Sequence, residues 1–158
     1  MLSTEQQAFS APEGIALRYG LLYGGDAAQM RALLARRGLP VVKGGVLGWI
    51  HHQDAAAATV AALEHGHPGQ AYNLVDDLPA TWREVYSTMA RAFGAPPPHQ
   101  LPRWVFRLVA PYVASFAVDT SIRAANAKAR AELGWHPAYP TYHEGIAAMV
   151  SAPAPRPV

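Results

Sequence analysis

The sequence predicts an α/β fold with about two parallel strands in its first half and a mostly helical second half. Three observations predict it. Two apolar runs, at 14–24 and from residue 70, are joined by long helical stretches, and strand, helical crossover, strand is the pattern of a parallel sheet. Apolar residues make up 51% of the chain and charged ones 15%, the composition of a packed core and not of a disordered chain. Beyond residue 81, apolar side chains recur at helical spacing behind two capping signatures.

Residues 1–11 read as the end of a helix and a loop. The run GIALRYGLLYG holds a strand at 15–19, bounded by glycines. Asp26 stands before AAQMRALLARR and Gly38 after it, as N-cap and C-cap of a helix. LPVVKGG is a short extended piece and a turn. Asp54 is placed to start a helix that runs to about His65. Alanine fills several faces of that helix. It is the best helix former, and its small side chain lets a helix approach a sheet closely. QAYNLVDD opens a second buried strand, with Tyr72, Leu74 and Val75 as its apolar run.

Thr81 and Glu84 form a capping box for the next helix. Trp82, Val85, Met89 and Phe93 follow at helical spacing and read as core, not as a ligand-stacking surface. Gly94 closes the helix, and APPPH is a rigid break, because consecutive prolines cannot sit inside a helix. Pro102 lies near the first turn of the helical run that follows, and Pro111 breaks or kinks that run. Asn126 is the N-cap of AKARAELG. Thr141 and Glu144 make a second capping box for the last helix, and SAPAPRPV, at 151–158, reads as a proline-rich disordered tail. The divisions are therefore 1–80 for the end of an α/β domain, 81–150 for a helical section and 151–158 for the tail.

Composition excludes several kinds of chemistry. There is no cysteine, so disulfides, cysteine metal sites and thiol catalysis are out. A net charge of +2 is too small an excess for a nucleic-acid stripe, though it suits anionic small molecules. The N-terminus lacks the basic start and apolar run of a secretory signal. The most apolar stretch, 108–118, is too short to span a bilayer and contains Pro111. The expectation is a soluble, cytoplasmic protein. His51, His52 and Asp54 are not expected to hold a metal, because adjacent histidines on a strand point to opposite faces and a third ligand at suitable spacing is missing.

LRYGLLYGG, GWIHHQDAAAATVAALEHGHPGQAYNLVDD and RAANAKARAELGWHPAYPTYHEG, in that order and spacing, resemble the C-terminal half of the extended short-chain dehydrogenase/reductases. The nearest group is the NAD-dependent epimerase/dehydratase-like oxidoreductases, and the resemblance runs from about Glu5 to Met149. It implies the C-terminal part of a Rossmann-type NAD(P)-binding fold plus a substrate-binding section. Arg18, Tyr23 and Gly24 match the family's arginine–tyrosine–glycine element, where Gly25 stands in place of a common proline and leaves the loop looser. By resemblance, Tyr19, Gly20, Leu21 and Leu22 would line the nicotinamide end of the cofactor, NAD or NADP. His51 and Asp54 match a histidine–x–x–aspartate element, with Asp54 expected to cap the helix or tie loops together. Asn126, Lys128, Leu133, Gly134 and Trp135 match an element of the substrate-binding subdomain. The substrate-facing candidates are thus Arg123, Tyr23 and Asn126. Arg123 is the one suited to an anionic or polar substrate group, since a guanidinium binds phosphate and carboxylate through two hydrogen bonds; the competing reading is a surface salt bridge.

Other family parts are not found in the sequence. No glycine-rich turn of the dinucleotide-binding kind occurs, and GGVLG, at 44–48, has the wrong spacing for one. The family's catalytic tyrosine and lysine lie four residues apart, with the tyrosine moving the proton. The only lysines here, Lys43 and Lys128, have Leu39 and Ala124 four residues before them. Hydride transfer needs its cofactor held to a fraction of an ångström. So no catalytic residue is assigned, and NAD(P) binding by this chain alone is not expected. Three readings compete: the substrate-binding half of an NAD(P)-dependent oxidoreductase or epimerase, a non-catalytic small-molecule binding or scaffold module, and a gene remnant. The first predicts self-association or a partner chain, because an open strand edge seeks another strand.

Overall fold

A computed structural model describes residues 3–151, apart from the side chains of 116 and 117. The elements are α1 (Thr4–Phe9), β1 (Ala16–Tyr19), β2 (Leu21–Tyr23), α2 (Ala27–Ala35), β3 (Val46–Leu47), β4 (Trp49–His51) and α3 (His52–His65). They continue as β5 (Ala71–Leu74), β6 (Ala80–Thr81), α4 (Trp82–Ala92), α5 (Arg103–Val109), α6 (Pro111–Ala117), α7 (Ala127–Leu133) and α8 (Tyr142–Ser151). The expected tail lies outside the described residues except for Ser151, which ends α8.

The two expected strands pair in parallel, β1 on β5, with Ala16 opposite Ala71 and Tyr19 opposite Leu74. Two further pairings join them. β2 runs parallel to β4, with Leu21 opposite Trp49, and β3 runs antiparallel to β6. β1 and β2 are separated only by Gly20, whose amide donates to the Leu74 carbonyl at 2.9 Å. One residue later, Leu21 donates to Gly48 instead, also at 2.9 Å. Beyond β5, the Asp76 amide donates to the Trp49 carbonyl at 2.7 Å. The β1 and β5 strands therefore fork, and the chain at 48–49 enters between their ends.

The fork requires glycine. A Cβ on Gly20 would lie 2.8 Å from the Gly48 carbonyl oxygen, and one on Gly48 would lie 2.7 Å from Cγ1 of Val75. Both are closer than real Cβ atoms come.

The helices cover this framework through three apolar clusters. Ala55, Ala58 and Ala62 of α3 are buried with Ile50, Tyr72, Leu74, Ala129, Leu133 and Trp135, so the alanine face does bring α3 close to the strands. Trp49, Val85, Met89, Ile146 and Met149 join β4, α4 and α8. Val42, Phe106, Ala114 and Val118 seat α5 and α6.

Capping follows the sequence with small shifts. Asp26 accepts from the amides of Ala28 and Gln29 at 2.7 and 3.1 Å. The left-handed residue ending α2 is Arg37, φ 52°, and not Gly38. The Thr81–Glu84 box forms with both reciprocal bonds, and Gly94 is left-handed at φ 64°. α5 and α6 are separate helices divided at Ala110, with Pro111 opening the second. α3 begins two residues before Asp54, with His51 as its N-cap. Asn126 occupies the N-cap position of α7 but makes no side-chain cap bond; its Nδ2 donates to Val75 O instead.

Candidate functional site

A cavity of about 780 Å³ opens at the fork. It is lined at the fork by Gly20, Gly48 and Val75, from the strands by Arg18, Tyr19, Leu21, Leu47 and Asn73, and from the helical section by Tyr112, Ile122 and Ala124. The cavity thus sits where the parallel strands β1 and β5 end at their carboxyl termini. That is where open α/β sheets bind their ligands, because the strands diverge there and leave a crevice.

Among the described residues, Arg18 is the one cation in the cavity wall. Its Nε and Nη2 donate to the two Glu5 carboxylate oxygens, each at 2.7 Å, so α1 places a carboxylate across the guanidinium fork. The pair is partly exposed; each partner favours the other's charged form, raising Arg18 and lowering Glu5. The Tyr19 hydroxyl lies 2.6 Å from Thr59 Oγ1 on α3. The Asn73 amide donates to the Ala125 carbonyl at 3.5 Å, the long limit of a hydrogen bond.

The sequence-predicted site residues divide. Tyr19, Gly20 and Leu21 lie in the cavity wall; Leu22 is half exposed and outside it. Tyr23 is in the core, 4% exposed, edge-on to His51 at 5.3 Å and to Trp49 at 6.5 Å, with its hydroxyl donating to Thr141 O at 3.3 Å. Burial, with Asp76 and Asp54 nearby, raises the Tyr23 phenol well above its usual range. Asn126 is buried and donates to Val75 O at 2.8 Å and Asp77 Oδ1 at 2.9 Å, joining the end of β5 to α7. Arg123 is exposed between Ile122 and Ala124, which both line the cavity, and is not itself in the wall.

The histidine–aspartate element holds loops together. Asp54, 2% exposed, accepts from the amides of Ala138 and Tyr139 at 2.7 and 3.0 Å. His51 Nδ1 accepts from the Gln53 amide at 3.3 Å, and burial lowers its pKa, partly offset by Asp54. Behind them Asp76 is 3% exposed and neither carboxyl oxygen finds a well-formed hydrogen bond. Burial pushes it up to about 7, against the Leu78 amide and with help from Asp77, Asp54 and Glu144.

Sequence reasoning missed Gly48, Leu47, Asn73, Tyr112 and Ile122 as cavity residues. One signal is present in GGVLG: its spacing does not suit a phosphate loop, but a glycine before an apolar strand also marks a close backbone approach. The Glu5–Arg18 pair has no sequence signal, because thirteen residues and a loop separate the partners.

No family model matches the chain. A 3-diazoavenalumate denitrifying reductase from a Streptomyces species is 34% identical over 140 residues, covering 84% of this chain and 46% of the reductase. The chain thus spans about half the length of the curated relative it matches. A functionally unknown conserved protein from Silicibacter pomeroyi superposes with a TM-score of 0.77 at 26% identity, over 92% of this chain and 52% of that one. The human epimerase family protein SDR39U1, solved with NADPH, has a TM-score of 0.71 at 21% identity, over 86% and 48%. Other matched structures hold NAD. Among the described residues, no helix is long and apolar enough to cross a membrane. The chain is thus similar to about half the length of NAD-dependent epimerase/dehydratase-type proteins and of a reductase, in keeping with the resemblance of its residues.

Proposed function

We propose that this chain supplies the substrate-binding half of an NAD(P)-dependent oxidoreductase or epimerase and is not catalytic by itself. The cavity at the carboxyl ends of β1 and β5 carries this reading, since its wall includes Tyr19, Gly20 and Leu21 of the loop that meets nicotinamide in the parent family. A reductase relative supports the oxidoreductase class. Residues 1–80 then end the nucleotide-binding domain, and 81–150 form the section that closes over substrate. Arg123, beside the cavity mouth, donates to a polar group of the substrate.

Proton transfer and the pyrophosphate cradle come, in this reading, from residues outside this chain. The test is co-expression with a chain carrying a glycine-rich turn and a tyrosine-x-x-x-lysine pair, followed by NADH and NADPH fluorescence. Cofactor binding only when the two are together is the expected result. Saturable cofactor binding by this chain alone, or failure of the two to associate, overturns it.

One observation favours the second reading, a non-catalytic binding module: the cavity is walled by this chain's own residues. Saturable small-molecule binding with no nicotinamide requirement would support that reading.

A further inference from the structure

The charge of the cavity bears on what it binds. Its wall is mostly apolar, through Leu21, Leu47, Val75 and Ile122. The polar groups are few. The Tyr19 hydroxyl is engaged with Thr59, and the Asn73 amide makes a long bond to Ala125. Arg18 is the group that would ordinarily meet a carboxylate or a diphosphate, because a guanidinium presents two parallel donors to two oxygens. Here the Nε and Nη2 edge is taken, at 2.7 Å each, by the carboxylate of Glu5, and the Arg18 charge is offset by that ion pair. The cation that borders the cavity therefore comes with a carboxylate already on it.

We propose that the cavity selects an uncharged, largely apolar small molecule, and that Glu5, by offsetting the Arg18 charge, is the residue that disfavours anions. This rests on the reading of the cavity as the substrate site. An anion entering it meets an Arg18 whose charge the Glu5 carboxylate has already offset, or must displace that carboxylate. A neutral molecule leaves the pair intact and buries its apolar surface against Val75 and Ile122. The Asn73 amide is left to orient one carbonyl or hydroxyl. Sugar nucleotides, which carry a diphosphate, are disfavoured on the same ground.

The test titrates the full chain with naphthylmethanol, naphthoate and UDP-glucose while the methyl resonances of Leu47, Val75 and Ile122 are followed. Naphthylmethanol is expected to shift all three, with naphthoate about tenfold weaker, the worth of one charge-assisted hydrogen bond. Glu5→Gln should remove the discrimination, and adding Arg18→Gln to it should restore the preference for the neutral probe. Preference of the natural chain for naphthoate or UDP-glucose overturns the proposal, as does a Glu5→Gln chain whose ratio is unchanged. Absence of shifts with every probe overturns it too. That result leaves the half-enzyme reading standing, because assembly with a cofactor-binding chain is read separately.

Discussion

Gly48 enters the fork between β1 and β5 so closely that a Cβ on Gly20 would stand 2.8 Å from its carbonyl oxygen. The neighbouring group is backbone, held by the Leu21 amide at 2.9 Å, and cannot swing aside. Gly20→Ala is therefore expected to destabilise the chain by about 1–3 kcal/mol, the usual cost of overpacking. Urea denaturation midpoints read this directly. A midpoint equal to that of the natural chain would mean that the fork opens without cost.

Asp54 joins the start of α3 to a loop 84 positions away. Asp54→Ala leaves two buried amides without an acceptor, and a loss of about 2–4 kcal/mol is expected, at one to three for each unsatisfied group with some relaxation. Asp54→Asn keeps one acceptor oxygen and should lose less. Equal losses in the two variants would place the effect in the charge and not in the hydrogen bonds.

Asp76 gives stability a definite slope with pH. Its folded pKa is about 7, raised from about 3.9 in an unfolded chain. Between those values the folded chain holds the proton and the unfolded chain does not. Its contribution thus falls as pH rises from about 4 to about 7 and is level above that. His51 acts in the opposite sense: its lowered pKa costs stability as pH falls below about 6.5. Comparing Asp76→Asn with the natural chain isolates the first effect. The variant's advantage should grow from pH 4 to 7 and reach roughly 1–3 kcal/mol. A constant difference across that range would place the proton elsewhere.

Asn126 and Tyr23 test what the resemblance implied against what packing implies. Asn126→Ala removes the bonds to Val75 and Asp77 and should lower the thermal midpoint, a change of about 1–3 kcal/mol. Tyr23→Phe removes one hydrogen bond of 3.3 Å and should cost less than about 1 kcal/mol. Binding of naphthylmethanol should survive Tyr23→Phe, because that hydroxyl faces Thr141 and not the cavity. Loss of binding without loss of stability would return Tyr23 to the substrate.

The parts of the fold that could be read in the sequence are those decided locally. The Thr81–Glu84 box, the Asp26 cap, the end of α3 at His65 and the β1 and β5 strands all follow from residues within one turn or one run. β2, β3, β4 and β6 have two or three residues each, too few for any period to register, and exist only because tertiary contacts pair them. The cavity was half legible. Tyr19, Gly20 and Leu21 came from the family resemblance, but Asn73 and Ile122 meet them only once β5 pairs with β1 and the Ile122 amide is tied to Val46 O. Asp76 showed nothing in sequence beyond an acidic pair after a strand; its perturbation comes from being enclosed.

The fork also orders the events of folding. β1 cannot find its partner until the chain as far as Leu74 exists, and the Asp54 carboxylate waits for residues 138 and 139. Contacts that far apart in sequence close late, since each must first meet the entropy of a long loop. During synthesis α3 therefore emerges before Tyr72, Leu74, Ala129 and Leu133, and its alanine face stays open to water until they follow.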